Sequence, residues 1–375
     1  MFAKAHFSKG AITLMDEKKA EGHKVYTVWT LSTFMIIILA FILIASFTAY
    51  IDPLFHYRAP LEKYEYPLNN QRYQNDGITR NFSYDGIITG TSMVENFKTS
   101  EASRIFGVNF IKVAFTGARY KEVNDNLKRA YEAKKELKCV IRCLDYGALV
   151  CDKDACREDI EYPTWLYNDN PFDDVNYLLN KTILINQTLE VIKDEEEGNK
   201  ITDFDAYSFW GNDYTYGAET VLDTYTLEER ATEQRELTEE ECVMMMENIR
   251  QNVTDLADAH PETTFYLFFS PYSICYWDQL DNNGEIDWRI DAEQIAIEEI
   301  LKHPNIKLYS FCNNFELICN LDNYKDVAHY GAWVNSWILE WIYEDEYLLT
   351  EDNYLDYIRS IREFYRSYAY DSLRE

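Results

Sequence analysis

Two rhythms of apolar residues organise this chain. The first is unbroken: Val25 to Ile51 carries no charged side chain, and its centre, Phe34-Met-Ile-Ile-Ile-Leu-Ala-Phe-Ile-Leu-Ile-Ala45, is apolar on every face. About 20 such residues cross the hydrocarbon core of a bilayer, so residues 25–51 predict a transmembrane helix. A secretory signal would have a shorter apolar region and a clean small-x-small cleavage site, and the sequence shows neither, so the expectation is an uncleaved anchor. Tyr26, Trp29 and Tyr50 sit where interfacial aromatics belong, and Lys4, Lys9, Lys18, Lys19 and Lys24 precede the span. That asymmetry predicts a cytoplasmic tail, 1–24, with the remainder outside. The second rhythm begins at Tyr84, where short apolar runs alternate with amphipathic stretches. Strands are predicted at 84–89, 109–115, 138–145, 264–270 and 306–311, and helices at about 120–137, 238–259, 292–302, 332–343 and 351–368. Short apolar strands separated by helices imply an α/β domain with a parallel sheet and helices on both faces.

Two stretches fall outside the alternation. Residues 52–83 open on an aromatic segment bracketed by Pro53 and Pro60 and read as a collar leading into the domain of residues 84–375. Residues of about 148–237 are rich in aromatics and acids, among them Trp165, Tyr177, Tyr207, Trp210 and Tyr214. Their length predicts an insertion covering the sheet edge. Their rings serve either as the insertion's own core or as platforms for sugar rings.

Composition narrows the partners. The chain of 375 residues is 47% hydrophobic, enough for a sizeable core, and carries a formal charge of −29. The five lysines and three acids before Asp52 leave the remainder with 31 basic and 62 acidic side chains, a charge of −31. Such a surface disfavours nucleic acid and unmodified anionic polymers, whose phosphates need clustered Lys and Arg. All eight cysteines follow the span, and an oxidising exterior would permit Cys151/Cys156 and Cys312/Cys319 to pair. The Cys and His spacings match no zinc pattern, so neither a structural metal nor another cofactor is implied.

The chemistry concentrates at two distant places. Gly90-Thr-Ser92 ends the first strand of the domain, before a segment able to start a helix, so Ser92 Oγ is expected at the sheet edge beside free backbone N–H groups. The bland alternative is an ordinary turn and N-cap. Asp326-Val-Ala-His329 follows the last predicted strand. His260 and His303 each precede a proline at a turn leading into a strand, placing them at the opposite sheet edge, and His56 lies in the collar. Ser92, Asp326 and His329 then form the set that nucleophilic catalysis needs: His takes the Ser proton and Asp fixes the imidazole.

With these residues in place the chain resembles the SGNH/GDSL hydrolase superfamily, in particular its membrane-anchored bacterial branch of cell-envelope proteins, similar to teichoic acid D-alanine-transfer and polysaccharide O-acetylation proteins. The resemblance spans roughly residues 84–343 without the insertion, and rests on the Gly-Thr-Ser block and the Asp-x-x-His-Tyr block. It implies a three-layer α/β/α, flavodoxin-like domain, Ser92 as nucleophile, Asp326 and His329 as its relay, and an oxyanion hole from the N–H groups of Ser92 and Gly117. It also implies esterase or O-acyltransferase chemistry on an envelope glycan, with a membrane-bound O-acyltransferase as partner. Asp145, Tyr146 and Trp210 are candidate substrate contacts. The sequence departs from the family at Thr91, where an Asp is usual, and after the third strand, where Leu144-Asp-Tyr-Gly147 replaces the Gly-x-Asn-Asp block that supplies an Asn donor. Gly211-Asn-Asp213 matches that block only by coincidence, within the insertion. The departure keeps a second class open: a catalytically degenerate scaffold or glycan-binding protein.

Overall fold

The computed structural model describes residues 9–157, 159–160, 162–197, 203–225 and 230–374. Lys4, in the expected cytoplasmic tail, lies outside them. Helix α1 runs over Lys9–Ile51, and its Glu21–Ile51 portion, with a mean hydropathy of 2.6, is long and apolar enough to cross a membrane. Val25, Trp29, Phe34, Met35 and Ile36 stand exposed around it, a ring of apolar surface that water would not tolerate on a folded domain. The helix stops at Asp52, which takes a left-handed backbone conformation (φ 53°) and turns its buried carboxylate back to accept from the N–H groups of His56 and Tyr57 and from Tyr177 Oη.

The domain is mixed α/β around one six-stranded sheet: β1 (Gly86–Gly90), β2 (Phe110–Ala114), β3 (Cys139–Leu144), β4 (Thr264–Phe269), β5 (Ile306–Ser310) and β6 (Leu348–Leu349). The strand order is β2-β1-β3-β4-β5-β6; the first five are parallel and β6 is antiparallel to β5. Every residue of β1, β2 and β3 is buried, as strands covered on both faces must be. Helices α2 (Gln71–Asn81), α3 (Thr99–Phe106), α4 (Tyr120–Glu132), α5 (Glu239–Ile249), α6 (Ile274–Asn282), α7 (Ile286–Ile300), α8 (Ala332–Tyr343) and α9 (Tyr354–Ser367) connect and cover the strands.

Five sequence expectations change. The helix expected directly after Ser92 is a single 3-10 turn, Ser92–Val94, and α3 starts only at Thr99. The buried Lys112 Nζ donates to the carbonyls of Glu95 and Phe97, acceptors that a continuing helix would have used itself. Part of the collar is helix α2, hidden in the sequence because its buried face is polar: Gln74, Asn75, Asp76 and Thr79 are enclosed, with Asp76 paired to Arg80 and Arg129. Helix α4 ends at Glu132 rather than 137, with Lys134 at φ 59°, and α7 begins at Ile286 rather than 292. The eight cysteines are all free thiols; Cys312 is buried against Tyr146 Oη at 2.9 Å and so is unavailable to Cys319.

The insertion does more than cover an edge. Its segment around Leu166, Tyr177 and Ile183 forms a small second core with Leu54 of the collar, and Asp174 bonds His56 and Tyr57. It therefore braces the C-terminal end of α1 against the domain. Its later segment runs back along α2, where Tyr207 Oη donates to the buried Asn75, and delivers Trp210 to the sheet edge.

Candidate active site

Ser92 stands just beyond the C-terminal end of β1, the strand from which the order runs outward to β2 on one side and β3 on the other. In an open α/β sheet that crossing is where a crevice forms. Gly90 makes the turn possible: it has φ 152°, and a Cβ there would lie 2.9 Å from that of Cys143 on β3.

His329 comes from the long connection after β5, and its position is closely fixed. Tyr324 and Tyr330 form an isolated antiparallel bridge, Lys325 N–H bonds the His329 carbonyl at 3.0 Å, and both the N–H and Oγ of Ser273 donate to Val327 O. The tight loop so held places His329 Nε2 2.8 Å from Ser92 Oγ. Its Nδ1 lies 2.9 and 3.0 Å from the two oxygens of Asp326. Asp326 Oδ1 also accepts the N–H groups of Ala328 and His329, and Lys325 Nζ sits 3.2 Å from Oδ2. Burial pushes the Asp326 carboxyl up, but the hydrogen bonds and charge of His329 and the two backbone donors outweigh it and hold the group well below the usual carboxylate range. The remaining histidines of the domain and collar lie elsewhere: His260 stacks on Tyr131, His303 bonds Asp258, and His56 bonds Asp174.

Gly117, three residues past β2, has φ 65°, and a Cβ on it would fall 1.9 Å from Arg157 Nη1. Neither the Ser92 nor the Gly117 N–H donates to another group among the described residues. The carbonyl of the same peptide unit, Thr116 O, accepts from two guanidinium groups, Arg72 Nη2 at 3.0 Å and Arg157 Nη1 at 3.1 Å. Both arginines are anchored by the buried Glu122, which pairs with Arg72 at 3.3 Å and accepts the Arg157 N–H at 3.1 Å.

Of the candidate substrate contacts, Trp210 reaches the site: its ring meets His329 edge-on at 5.7 Å, with Lys325 Nζ 4.7 Å above it. Asp145 touches the site only as an acceptor, taking Thr91 Oγ1 at 2.9 Å and the Gly147 N–H at 2.8 Å. Tyr146 does not belong to it. The ring is buried between Phe269 and the Arg289 guanidinium, and presents no face to a ligand. Gly211-Asn-Asp213 follows Trp210 in the insertion and supplies no group bonded to the Ser92 or His329 side chain.

Glu95 is the residue that pattern reading missed. It is buried three positions after Ser92, accepts Trp210 Nε1 at 2.7 Å, and takes Gln71 and Thr116 on its other oxygen. It thus locks the insertion to the β1 and β2 turns, beside a groove of about 460 Å³ that Gln71, Arg72, Thr116 and Ser208 also line. A Glu in a turn is ordinary, and only its burial marks it. Comparison with known proteins adds nothing to this geometry: no family model, curated protein or solved structure matches the chain.

Proposed function

We propose that this chain is a membrane-anchored ester hydrolase or O-acyltransferase of SGNH type, with a flavodoxin-like three-layer domain outside the cytoplasm and Ser92 as nucleophile. The observation that carries the reading is the continuous relay Ser92 Oγ to His329 Nε2 to Asp326, at 2.8 and 2.9 Å, between residues 237 positions apart in sequence. A satisfied core histidine needs no serine partner at the surface edge, and Ser92 is half-buried while His329 and Asp326 remain 28% exposed.

In this reading His329 Nε2 takes the Ser92 proton as Oγ attacks the ester carbonyl, and Asp326 holds the Nδ1 proton and stabilises the imidazolium. The N–H groups of Ser92 and Gly117 receive the charge that develops on the carbonyl oxygen. The tetrahedral adduct collapses, the C–O bond to the leaving alcohol breaks, and His329 returns the proton to that alcohol. Water or a glycan hydroxyl then gives its proton to His329 and attacks the acyl-serine; the acyl C–Oγ bond breaks, His329 returns the proton to Ser92 Oγ, and an acid or a new ester leaves. The acidic surface favours an uncharged acceptor, and the anchor favours one met at the membrane, hence an envelope glycan in partnership with an acyl donor system in the membrane.

The missing Asn donor has a counterpart here. Two guanidinium groups on Thr116 O polarise the 116–117 peptide and make its N–H a stronger donor, because linked hydrogen bonds reinforce one another. The test is labelling of the full-length protein with a fluorophosphonate, alongside Ser92→Ala and His329→Ala. Labelling that disappears in Ser92→Ala supports the reading, and an unlabelled, folded wild type overturns it. The second reading, a non-catalytic glycan-binding scaffold, is favoured by Asp145, an acceptor at the place where the family has a donor.

A further inference from the structure

Helix α8 carries three tryptophans at one-turn intervals, Trp333, Trp337 and Trp341. The core-facing side of this helix is already supplied by Val334, Ile338, Leu339 and Ile342. The tryptophans form a separate stripe, with Trp333 38% and Trp337 39% exposed, where a solvated helix would carry charge. Trp337 and Trp341 have ring centroids 6.2 Å apart, and Trp341 is backed by Phe311 and Tyr347. Trp333 is folded back over Gly331, packed edge-on by Tyr216 and bonded through Nε1 to Asn323 Oδ1 at 3.1 Å. These rings are held in place rather than left loose.

Opposite the stripe runs the segment from Asn314 to Asn323, and between them lies a pocket of about 380 Å³, within the range of small-molecule sites. Its lining is aromatic on one wall, from Trp337 and Trp341, and polar on the other, from Asn314, Asn320, Asn323 and Glu316. No cation lines it among the described residues. Asn323, which lines the pocket, lies three residues before Asp326 in the chain, and Trp333, bonded to Asn323, lies four residues after His329. Helical side chains lean toward the N-terminus, so the stripe is inclined to the end of α8 from which His329 emerges.

We infer that the Trp337/Trp341 pocket and the stripe leading from it are a subsite for an uncharged oligosaccharide, which guides a glycan chain toward Ser92. A pyranose has an apolar face of C–H groups suited to an indole, and a rim of hydroxyls suited to amides and a carboxylate. The Trp337 and Trp341 rings, 6.2 Å apart, are spaced on the scale of one sugar unit. Glu316 and the net charge of −29 exclude a polyanion. A lipid tail would offer no partner to the Asn320 amide and the Glu316 carboxylate. As a route to the nucleophile the subsite rests on the proposed function, but as a binding site it stands by itself.

The test uses full-length protein in a detergent without a sugar headgroup, titrated with linear oligomers of glucose and of N-acetylglucosamine, two and six units long. Tryptophan fluorescence and calorimetry supply the readouts. Saturable binding, tighter for the hexamer, is expected with at least one series. Trp337→Ala should weaken it about tenfold or more, as truncation of an anchoring tryptophan does, and Asn320→Ala by a smaller factor. Ser92→Ala should bind as the wild type does. Binding by a protein that never labels would retain the subsite and remove the catalytic reading. Absence of saturable binding to both series, or binding unaffected by Trp337→Ala and Trp341→Ala, overturns the inference. So does a shift from dimer to monomer in Trp337→Ala, which would make a second copy of the chain the occupant.

Discussion

Replacing Asp326 by Asn separates a catalytic relay from a structural turn. Asp326 Oδ1 accepts two backbone N–H groups, at 2.9 Å from Ala328 and 2.8 Å from His329, and Oδ2 faces His329 Nδ1 at 2.9 Å. In Asp326→Asn the new amide oxygen would be drawn to the side with two obligatory donors, leaving the NH2 group against Nδ1. Two donors cannot share that contact, so the imidazole must turn Nδ1 into an acceptor and carry its proton on Nε2. Nε2 then donates to Ser92 Oγ instead of taking its proton. A wrong tautomer of this kind lowers the rate about 10⁴-fold, a barrier increase of about 5.5 kcal/mol. The turn keeps its backbone hydrogen bonds, so stability should fall by only about 1–2 kcal/mol. The assay is the rate of fluorophosphonate labelling and of p-nitrophenyl acetate hydrolysis by the full-length protein in detergent, with thermal unfolding in parallel. A variant that retains its fold and reacts within about threefold of the wild type refutes the relay.

Three further outcomes are expected. Because the folded-state pKa of Asp326 is depressed, its contribution to stability is full above about pH 4, where the unfolded carboxyl is also ionised, and is lost as pH falls from there toward the folded value; unfolding midpoints at pH 7 and pH 3 should show a smaller acid loss in Asp326→Asn than in the wild type. Arg157→Ala removes one of the two guanidiniums on Thr116 O and should lower kcat roughly 10-fold at unchanged KM, less than the ~10²–10³ that loss of a direct donor costs, with partial rescue by Arg157→Lys in the same steady-state assay. Gly117→Ala places a Cβ at positive φ and 1.9 Å from Arg157 Nη1, so thermal unfolding should show about 1–2 kcal/mol of lost stability, and labelling should slow with it.

Legibility differed from element to element. The long apolar helix and the five parallel strands could be read locally, since each is a predominantly apolar run, and in the strands only single cations such as Lys112, Arg142 and Lys307 interrupt it. Helix α8 matches its expected bounds of 332–343 because its apolar side chains recur with helical period. Helix α2 could not be read this way, since Asn75 and Asp76 are buried by pairing with Tyr207, Ala114 O, Arg80 and Arg129, most of them remote in sequence. The two-residue β6 has no pattern of its own and exists by pairing with β5.

For the candidate site, the residue types were visible and their environment was not. Sequence pattern singled out Ser92, Asp326 and His329, because a Ser after a strand and an Asp-x-x-His after a later one are local features whose sheet edge follows from strand direction, and the family resemblance added Gly117. It also nominated Tyr146 beside Trp210, and nothing in the sequence separates two aromatics in acidic surroundings. The fold does so: Tyr146 turns inward at the end of β3 against Arg289, while Trp210 is carried to His329 by an insertion clamped through Glu95. By itself the sequence determined the long apolar helix, the parallel strands and the residue types of the candidate site, which depend on composition and period. Tertiary structure alone decided the 2.8 Å contact across 237 residues, the twofold capping of Thr116 O and the burial of Glu95. Those are distances between residues far apart in the chain, and packing, not local pattern, sets them.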